Sequence, residues 1–435
     1  MFRLRNRAQT KGRGIIAAIM QPRTFLLLCS IFAVCAALPY AQEGPVLTGY
    51  VTRVASSSDF DINRFRIVCN GKAGDDSQPP RDKTIPVAKC PGEAPHIGDT
   101  FAIHYRVRDT AMHSIYATRI DKQRSSSPGA VSGSAVIDAM PIEEAVGAKL
   151  TDLTVRADGY RIRITAKTKI DWAPPLQSLA DVKTGDWIKY KGKINAAGML
   201  IATSVQIGPN AIRDDETRRR NKKEYDPSAI PANAKQNYLK DAVAGGFDPK
   251  RFPPFKDDVL QARIEKIGNS LVPAYQRALP ASDPARIDFR FQLIDTKLFG
   301  NTFTLPNGII LVPHETAEKT ENDSQLAAVL ADGIAGVLER QEYRLDWKIK
   351  LAYASALTTP ILPLGGIGDN VAMEIQKRAM EQRIRVSLGL LQDAGYDISQ
   401  APMVWWLLAT GKPDEASGTE VPERAAYLYR ILAET

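Results

Sequence analysis

The stretch from Ser324 to Arg340 constrains this chain most. It reads Ser-Gln-Leu-Ala-Ala-Val-Leu-Ala-Asp-Gly-Ile-Ala-Gly-Val-Leu-Glu-Arg. Leu326, Val329, Leu330, Ile334, Val337 and Leu338 recur at helical spacing, which predicts a buried amphipathic helix. Ser324 stands where an N-cap belongs, and Arg340 suits the C-terminal end of the helix dipole. Gly333 and Gly336 each cost an interior helix about 1 kcal/mol against alanine. Packing from neighbouring elements must therefore hold this helix.

The front half has a different period. Gly49 to Val54, Phe60 to Ile62 and Phe65 to Val68 alternate apolar and polar residues, as half-buried strands do. Phe101 to Val107 and Ser114 to Ile120 complete one β unit over 46–122. A second unit, 134–208, repeats its tail. Ile97-Gly98-Asp99 leads into the late strands of the first unit, and Thr184-Gly185-Asp186 leads into Trp187 to Tyr190 of the second. A turn at Asn195 to Gly198 then returns to Leu200 to Val205, and Asp158-Gly159 marks a hairpin. Two tandem small barrels of OB-like character are expected, joined by a Ser/Gly-rich linker over 123–133. Such barrels bind oligosaccharide, nucleic acid or protein. Trp172, Trp187 and Tyr190 are either a stacking platform or barrel core.

Arg3, Arg5, Arg7, Lys11, Arg13 and Arg23 precede an apolar run, Phe25 to Leu38, and small residues follow it. This predicts a secretory signal over 1–41, with Met20 as an alternative start. The run is shorter than the roughly 20 residues of a spanning helix, so cleavage is preferred over an uncleaved membrane anchor. An exported, periplasmic or cell-envelope protein follows. Cys29 and Cys35 leave with the signal. Cys69 and Cys90 then predict one disulfide closing a loop of about twenty residues. The net charge of +8 gathers in the N-terminus and in a basic, Pro-punctuated linker over 209–255. The basic character is therefore local, and no nucleic acid is expected as a partner.

Beyond Lys256 the pattern turns helical. Val259, Ile264, Ile267 and Leu271 mark a helix stopped at Pro273, and Ile287 to Ile294 alternates as a strand. Asn301-Thr302-Phe303-Thr304-Leu305-Pro306-Asn307-Gly308 precedes an apolar strand, Ile309 to Val312. Leu351 to Ile367 is apolar and interrupted by proline and glycine, and Pro402 to Leu408 carries Trp405 and Trp406 on a last helix.

Residues 256–435 resemble the HtpX-like and CAAX-prenyl-protease-like zinc metallopeptidases, metallopeptidase family 48. Asn301 to Gly308 matches a strand ending in Asn-Ala-Phe-x-x-Pro-x-Gly, and Asp323 to Leu330 matches the approach to the zinc helix. Gly389 and the Ala394-Gly395-Tyr396-Asp397 turn also fit. The resemblance implies an H-E-x-x-H motif, whose paired histidines at i and i+4 grip zinc while the glutamate activates its water. Here that place reads Asp332-Gly333-Ile334-Ala335-Gly336. The third ligand falls on Gln382, and a late His-Pro element becomes Val421-Pro422, followed by Glu423-Arg424. The degenerate positions are thus Asp332, Gly333, Gly336 and Gln382.

The expected fold is multidomain: two small all-β, OB-like barrels, then an α+β, mainly helical, metallopeptidase-like domain. The expected function is that of a pseudopeptidase, binding protein or peptide in the cell envelope with no catalytic residue, metal or cofactor. Contact with a membrane surface is a further expectation. One alternative is an active zinc enzyme in which Asp332, Gln382 and His314 converge, with Glu315 or Glu339 as base. Another is a glycan- or protein-binding module carried by the barrels, with the back half as scaffold. His314 itself reads as a surface or turn residue, and His104 and His113 as a facing pair across a hairpin.

Overall fold

The structure is a computed structural model describing residues 45–69, 87–109, 111–123, 129–140, 152–195, 197–222, 225–229, 252–296, 302–345, 365–410 and 421–433. The expected signal, Cys29, Cys35, Met20, Asn301 and most of the apolar run 351–367 lie outside these residues.

Alternation builds the first barrel. Strands β1 (Val46–Ser56), β2 (Asp59–Ile62), β3 (Phe65–Val68), β4 (Thr100–Asp109) and β5 (Ser114–Lys122) close in the order β1-β2-β3-β5-β4. Leu47, Val51, Phe60, Ile62, Phe65, Ile67, Phe101, Ile103 and Ile115 point inward as one core. All pairings are antiparallel except β3 with β5, where Ile67 faces Ile115. The Cys69–Cys90 disulfide ties the end of β3 to the segment ahead of β4. His104 pairs with Arg119 across the β4–β5 ladder, while His113 sits in the turn beside Phe65. They do not face each other, because Asp109 pairs with Ser114, which puts His113 in the turn itself and Arg119 opposite His104.

The second barrel repeats this ring. β6 (Ala130–Ala139), β7 (Leu153–Ala157), β8 (Tyr160–Ile164), β10 (Trp187–Ile194) and β11 (Leu200–Gly208) close as β6-β7-β8-β11-β10. Its parallel pair is β8 with β11, and β9 (Lys169–Trp172) shares the same edge of β11 further along. Strand β6 begins inside the stretch expected as linker. The shared five-strand order, with one parallel pair, is that of an OB-type barrel.

The repeated Gly-Asp turn occupies the same place in both rings. Val51 donates to the Asp99 carbonyl at 2.8 Å and accepts from Gly98 at 2.9 Å. Ile137 donates to the Asp186 carbonyl and accepts from Gly185, both at 2.8 Å. Gly98 and Gly185 each have φ of +94°, a conformation that side chains disfavour.

The stretch expected as a solvated linker contains helix α1 (Asp214–Lys222). Its Glu216 is buried and accepts from Arg220 one turn on, at 2.9 Å, and from Arg340 Nε at 2.8 Å. Part of the arginine run is thus packed rather than solvated.

Helix α2 (Asp258–Leu271) is capped by the Asp257 carboxylate, which accepts from the Leu260 amide at 2.9 Å. It buries Leu260, Ile264, Ile267 and Leu271. Val259 is 83% exposed, since the inward spacing starts one residue later. A short helix α3 (Ala274–Ala278) follows. Strands β12 (Arg290–Ile294), β13 (Phe303–Thr304) and β14 (Ile309–Pro313) form a sheet in the order β12-β14-β13, with β12 and β14 parallel. The outer edge of β12 is closed. Gln261 Nε2 donates to the Phe291 carbonyl at 2.8 Å, and its Oε1 accepts from the Leu293 amide at 2.9 Å. Phe255 and Pro253 satisfy the next backbone groups, on Leu293 and Asp295. Edge β13 carries no further strand among the described residues.

Helix α4 (His314–Lys319) leads to α5 (Asp323–Leu338), the expected helix. Its cap is Asn322, whose side chain accepts from the Gln325 amide at 2.9 Å. Ser324 instead accepts from the Asp397 amide at 3.1 Å. Every residue from Gln325 to Leu338 is buried, so α5 is a central helix rather than an amphipathic one. It packs against α2, the sheet, α6 (Gly365–Asp393) and α7 (Gln400–Thr410). Fully buried Leu326, Val329, Leu330 and Ile334 each contribute about 1.5–3 kcal/mol relative to exposure. Trp405 and Trp406 join this core, and their helix is not the last: α8 (Glu423–Leu432) follows and packs on α7.

The barrels dock on this helical part through glycine turns. A Cβ on Gly98 would lie 2.1 Å from the Tyr429 carbonyl of α8, and one on Gly159 would lie 2.5 Å from Arg385 Cβ of α6. Tyr50 stacks on Tyr429 with ring centroids 5.6 Å apart. Among the described residues, no helix is long and apolar enough to cross a membrane.

Candidate functional site

Asp332 lies in the middle of α5 and is 5% exposed. Burial of a carboxylate requires compensating charge. Arg424, from the first turn of α8, supplies it: Nη2 donates to Asp332 Oδ1 at 2.5 Å. Arg383, from α6, places Nε 3.4 Å from the same oxygen. The Arg424 guanidinium lies over the Trp405 ring, 3.9 Å from its centroid, which fixes its direction from α7. Burial pulls the Arg424 pKa below the usual arginine value, and Asp332 acts against that pull.

The two glycines of α5 shape the surroundings. A Cβ on Gly336 would lie 3.0 Å from Arg383 Cδ, so a larger residue would push Arg383 away from Asp332. A Cβ on Gly333 would lie 2.9 Å from Thr302 Oγ1 and 3.2 Å from Thr304 Cγ2. Edge strand β13 thus sits directly on α5 at the position that the resemblance assigns to a catalytic glutamate.

Gln382 does not join Asp332. Its amide donates to the Ser134 carbonyl of β6 at 2.9 Å, and Gln341 donates to its oxygen at 3.3 Å. One residue of helix rotation turns Gln382 to the second barrel and Arg383 to Asp332. His314 packs elsewhere: its ring stacks on Phe255 at 4.0 Å, and Nδ1 is 3.9 Å from Asp295. With a side chain 16% exposed, it is a packed residue at the start of α4, not a surface turn. Glu339 is 2% exposed and accepts from the Val136 amide of β6 at 3.3 Å.

Zinc needs three or four donors converging at about 2.0–2.3 Å. Here one carboxylate is already shared by two guanidiniums, two positions offer no side-chain donor, and Gln382 and His314 contact other groups. The residues present do not fit the metal that the resemblance implies. Among the described residues, no group of three or more His, Cys, Asp or Glu side chains is arranged to hold a metal ion.

A second charged cluster joins the second barrel to the helices. The Asp158 carboxylate accepts from Tyr190 and from Arg385 Nη2, each at 2.5 Å. Arg156 bridges Asp138, at 3.0 Å, and Asp393 of α6, at 2.5 Å. Burial pushes the Asp138 carboxyl up to about 6 and also raises Glu339 well above the usual carboxylate range. Tyr190 is a core side chain of the barrel, and Arg344 covers the Trp187 ring at 3.5 Å. Trp172 packs against the same core. These aromatics form no open stacking platform.

Sequence reasoning reached Asp332, Gly333, Gly336 and Gln382, but missed Arg383 and the role of Arg424. The Glu423-Arg424 pair, beside the expected His-Pro place, was the one local signal. The fold and this site define a chain with two OB-type barrels followed by a helical region. No protein-family model matches the chain, and no curated protein matches it.

Proposed function

We propose that this chain is an exported pseudopeptidase: a metallopeptidase-like protein that binds protein or peptide without cutting it. One observation carries the reading. Where the resembled family holds a divalent cation between histidines, Asp332 here is held between the guanidiniums of Arg383 and Arg424. Permanent side-chain cations stand in for a metal charge, and no group there is set to activate water. A peptide binds as an added strand on the edge of β13, which pairs with no further strand among the described residues and lies over Gly333. The basic, apolar N-terminus and the Cys69–Cys90 disulfide support an oxidising, extracytoplasmic setting.

The test is elemental analysis of the purified chain for zinc, with a casein cleavage assay beside it. Zinc below one tenth of an equivalent and no chelator-sensitive cleavage are expected. Stoichiometric zinc with chelator-sensitive proteolysis overturns the proposal in favour of an active enzyme.

A further inference from the structure

One wall of the second barrel carries an ordered set of cations. Alternation along β10 turns Ile188 and Tyr190 into the core and leaves Lys189, Lys191 and Lys193 exposed outside. The neighbouring registers extend this face. Lys191 pairs with Ser132 of β6 on one side and with Ser204 of β11 on the other, and Ser204 pairs with Lys169 of β9, which is also exposed. None of these four lysines lies within ion-pair distance of a carboxylate among the described residues. Asp171 stands on the same face, two residues along β9 and opposite Gln206. Arg163 of β8 is already paired with Asp152, at 3.1 Å.

Folding gives no reason for this row. Lysine commonly guards an open strand edge, but β10 is paired on both sides, with β6 and β11. Alternate residues of a strand are about 7 Å apart, and two strand spacings span about 10 Å. Both lie near the Debye length of about 8 Å at physiological salt, so the ammonium groups repel one another and act outward as one field.

The form of the face selects the kind of anion. Lysine offers a point charge, not the planar fork with which arginine grips single phosphates and carboxylates. Tyr190 is in the core, Trp172 packs against it, and Trp187, at the end of the row, lies under Arg344. Bases and sugar rings therefore find no open aromatic to stack on among these strands. Single-stranded polyanions are held in grooves, whereas the outside of a closed barrel is convex and meets a plane.

We propose that this wall, centred on Lys191, docks the chain on an anionic lipid bilayer. The reading is independent of peptide binding at β13 and of the chemistry at Asp332.

The test is co-sedimentation of the full chain with phosphatidylcholine vesicles, with and without phosphatidylglycerol. Each lysine at an anionic surface strengthens binding about fivefold. The triple variant Lys189→Gln, Lys191→Gln and Lys193→Gln is therefore expected to bind the anionic vesicles about a hundredfold more weakly. Its urea midpoint verifies folding. Binding of the parent is expected to vanish at about 1 M salt, where the Debye length is about 3 Å. A control triple, Lys89→Gln, Lys256→Gln and Lys266→Gln, changes the net charge equally at exposed positions elsewhere and is expected to bind like the parent. The basic N-terminus is the same in every protein compared. Equal binding to both kinds of vesicle, full binding by the β10 variant, or equal weakening by the control overturns the proposal. Fluorescein-labelled oligothymidylate is the competing probe. Binding of it that needs the β10 lysines, with no binding to vesicles, overturns the lipid surface and assigns the wall to nucleic acid.

Discussion

Substituting Asp332→Ala removes the carboxylate that Arg383 and Arg424 share, and its cost can be worked out from their burial. Arg424 bears most of it. With a side chain only 16% exposed and one face closed by Trp405, its charge cannot be rehydrated without moving α8. Breaking such a buried pair from one side costs about 3–5 kcal/mol. Arg383 is nearly a third exposed, so its share is screened and adds at most about 1 kcal/mol. The expected loss is about 3–5 kcal/mol. Urea unfolding followed by tryptophan fluorescence reads it, because Trp405 and Trp406 sit in the same core. At a slope of about 3 kcal/mol per molar, the midpoint falls by about 1–1.7 M. The triple substitution Asp332→Leu, Arg383→Met and Arg424→Met removes both sides together and is expected to be neutral or stabilising. An Asp332→Ala midpoint within 0.2 M of the parent would refute the argument that this carboxylate compensates Arg424.

Asp138 gives a pH dependence with a defined sign. Its folded value of about 6 lies above the ordinary 3.8, so the folded state holds the proton more tightly. Its contribution is therefore present at low pH and is lost as pH rises from about 4 to about 6, by up to about 3 kcal/mol. Glu339, raised in the same direction, extends the loss upward. Asp138→Asn should flatten this slope in urea titrations at pH 4.5 and 7.5, and an unchanged slope counts against it. Gly98→Ala places a Cβ 2.1 Å from the Tyr429 carbonyl at a φ of +94°, and should loosen the first barrel enough to speed its proteolysis at least tenfold. Gly129→Ala, with nothing within 4 Å, is the neutral control. Replacing Cys69 and Cys90 by serine opens a loop with a separation of 21 and should lower stability by about 3 kcal/mol, read as a drop in the barrel's melting temperature.

The barrels were legible because each strand keeps one face inward. Phe60 and Ile62, then Phe65 and Ile67, show the period directly, and Asp158-Gly159 takes positive φ at both turn positions. Helix α6 was not legible as a helix. Its first half holds exposed Val371 and Met373, while its second half buries Ile384, Val386 and Leu388. A helix passing from solvent into core shows no single apolar stripe. The same cause misplaced Gln382. The resemblance aligned it with a ligand, but the packing of α6 against α5 decides which side faces Asp332, and that is a long-range matter. Arg424 reaches Asp332 across 92 positions, a pairing that no local pattern encodes. The arginine run within α1 misled in the opposite direction. Composition marks such a run as solvated, yet Arg220 and Arg340 converge on one buried glutamate.

The side-chain amide of Gln261 bears on how this molecule can associate. By standing in for a neighbouring strand on β12, it leaves the three-stranded sheet, among the described residues, with a single open margin, at β13. A sheet open on one margin takes on one more strand and then stops. Pairing between chains through this sheet can therefore yield couples but not filaments, and whatever strand occupies the margin shuts that route as well.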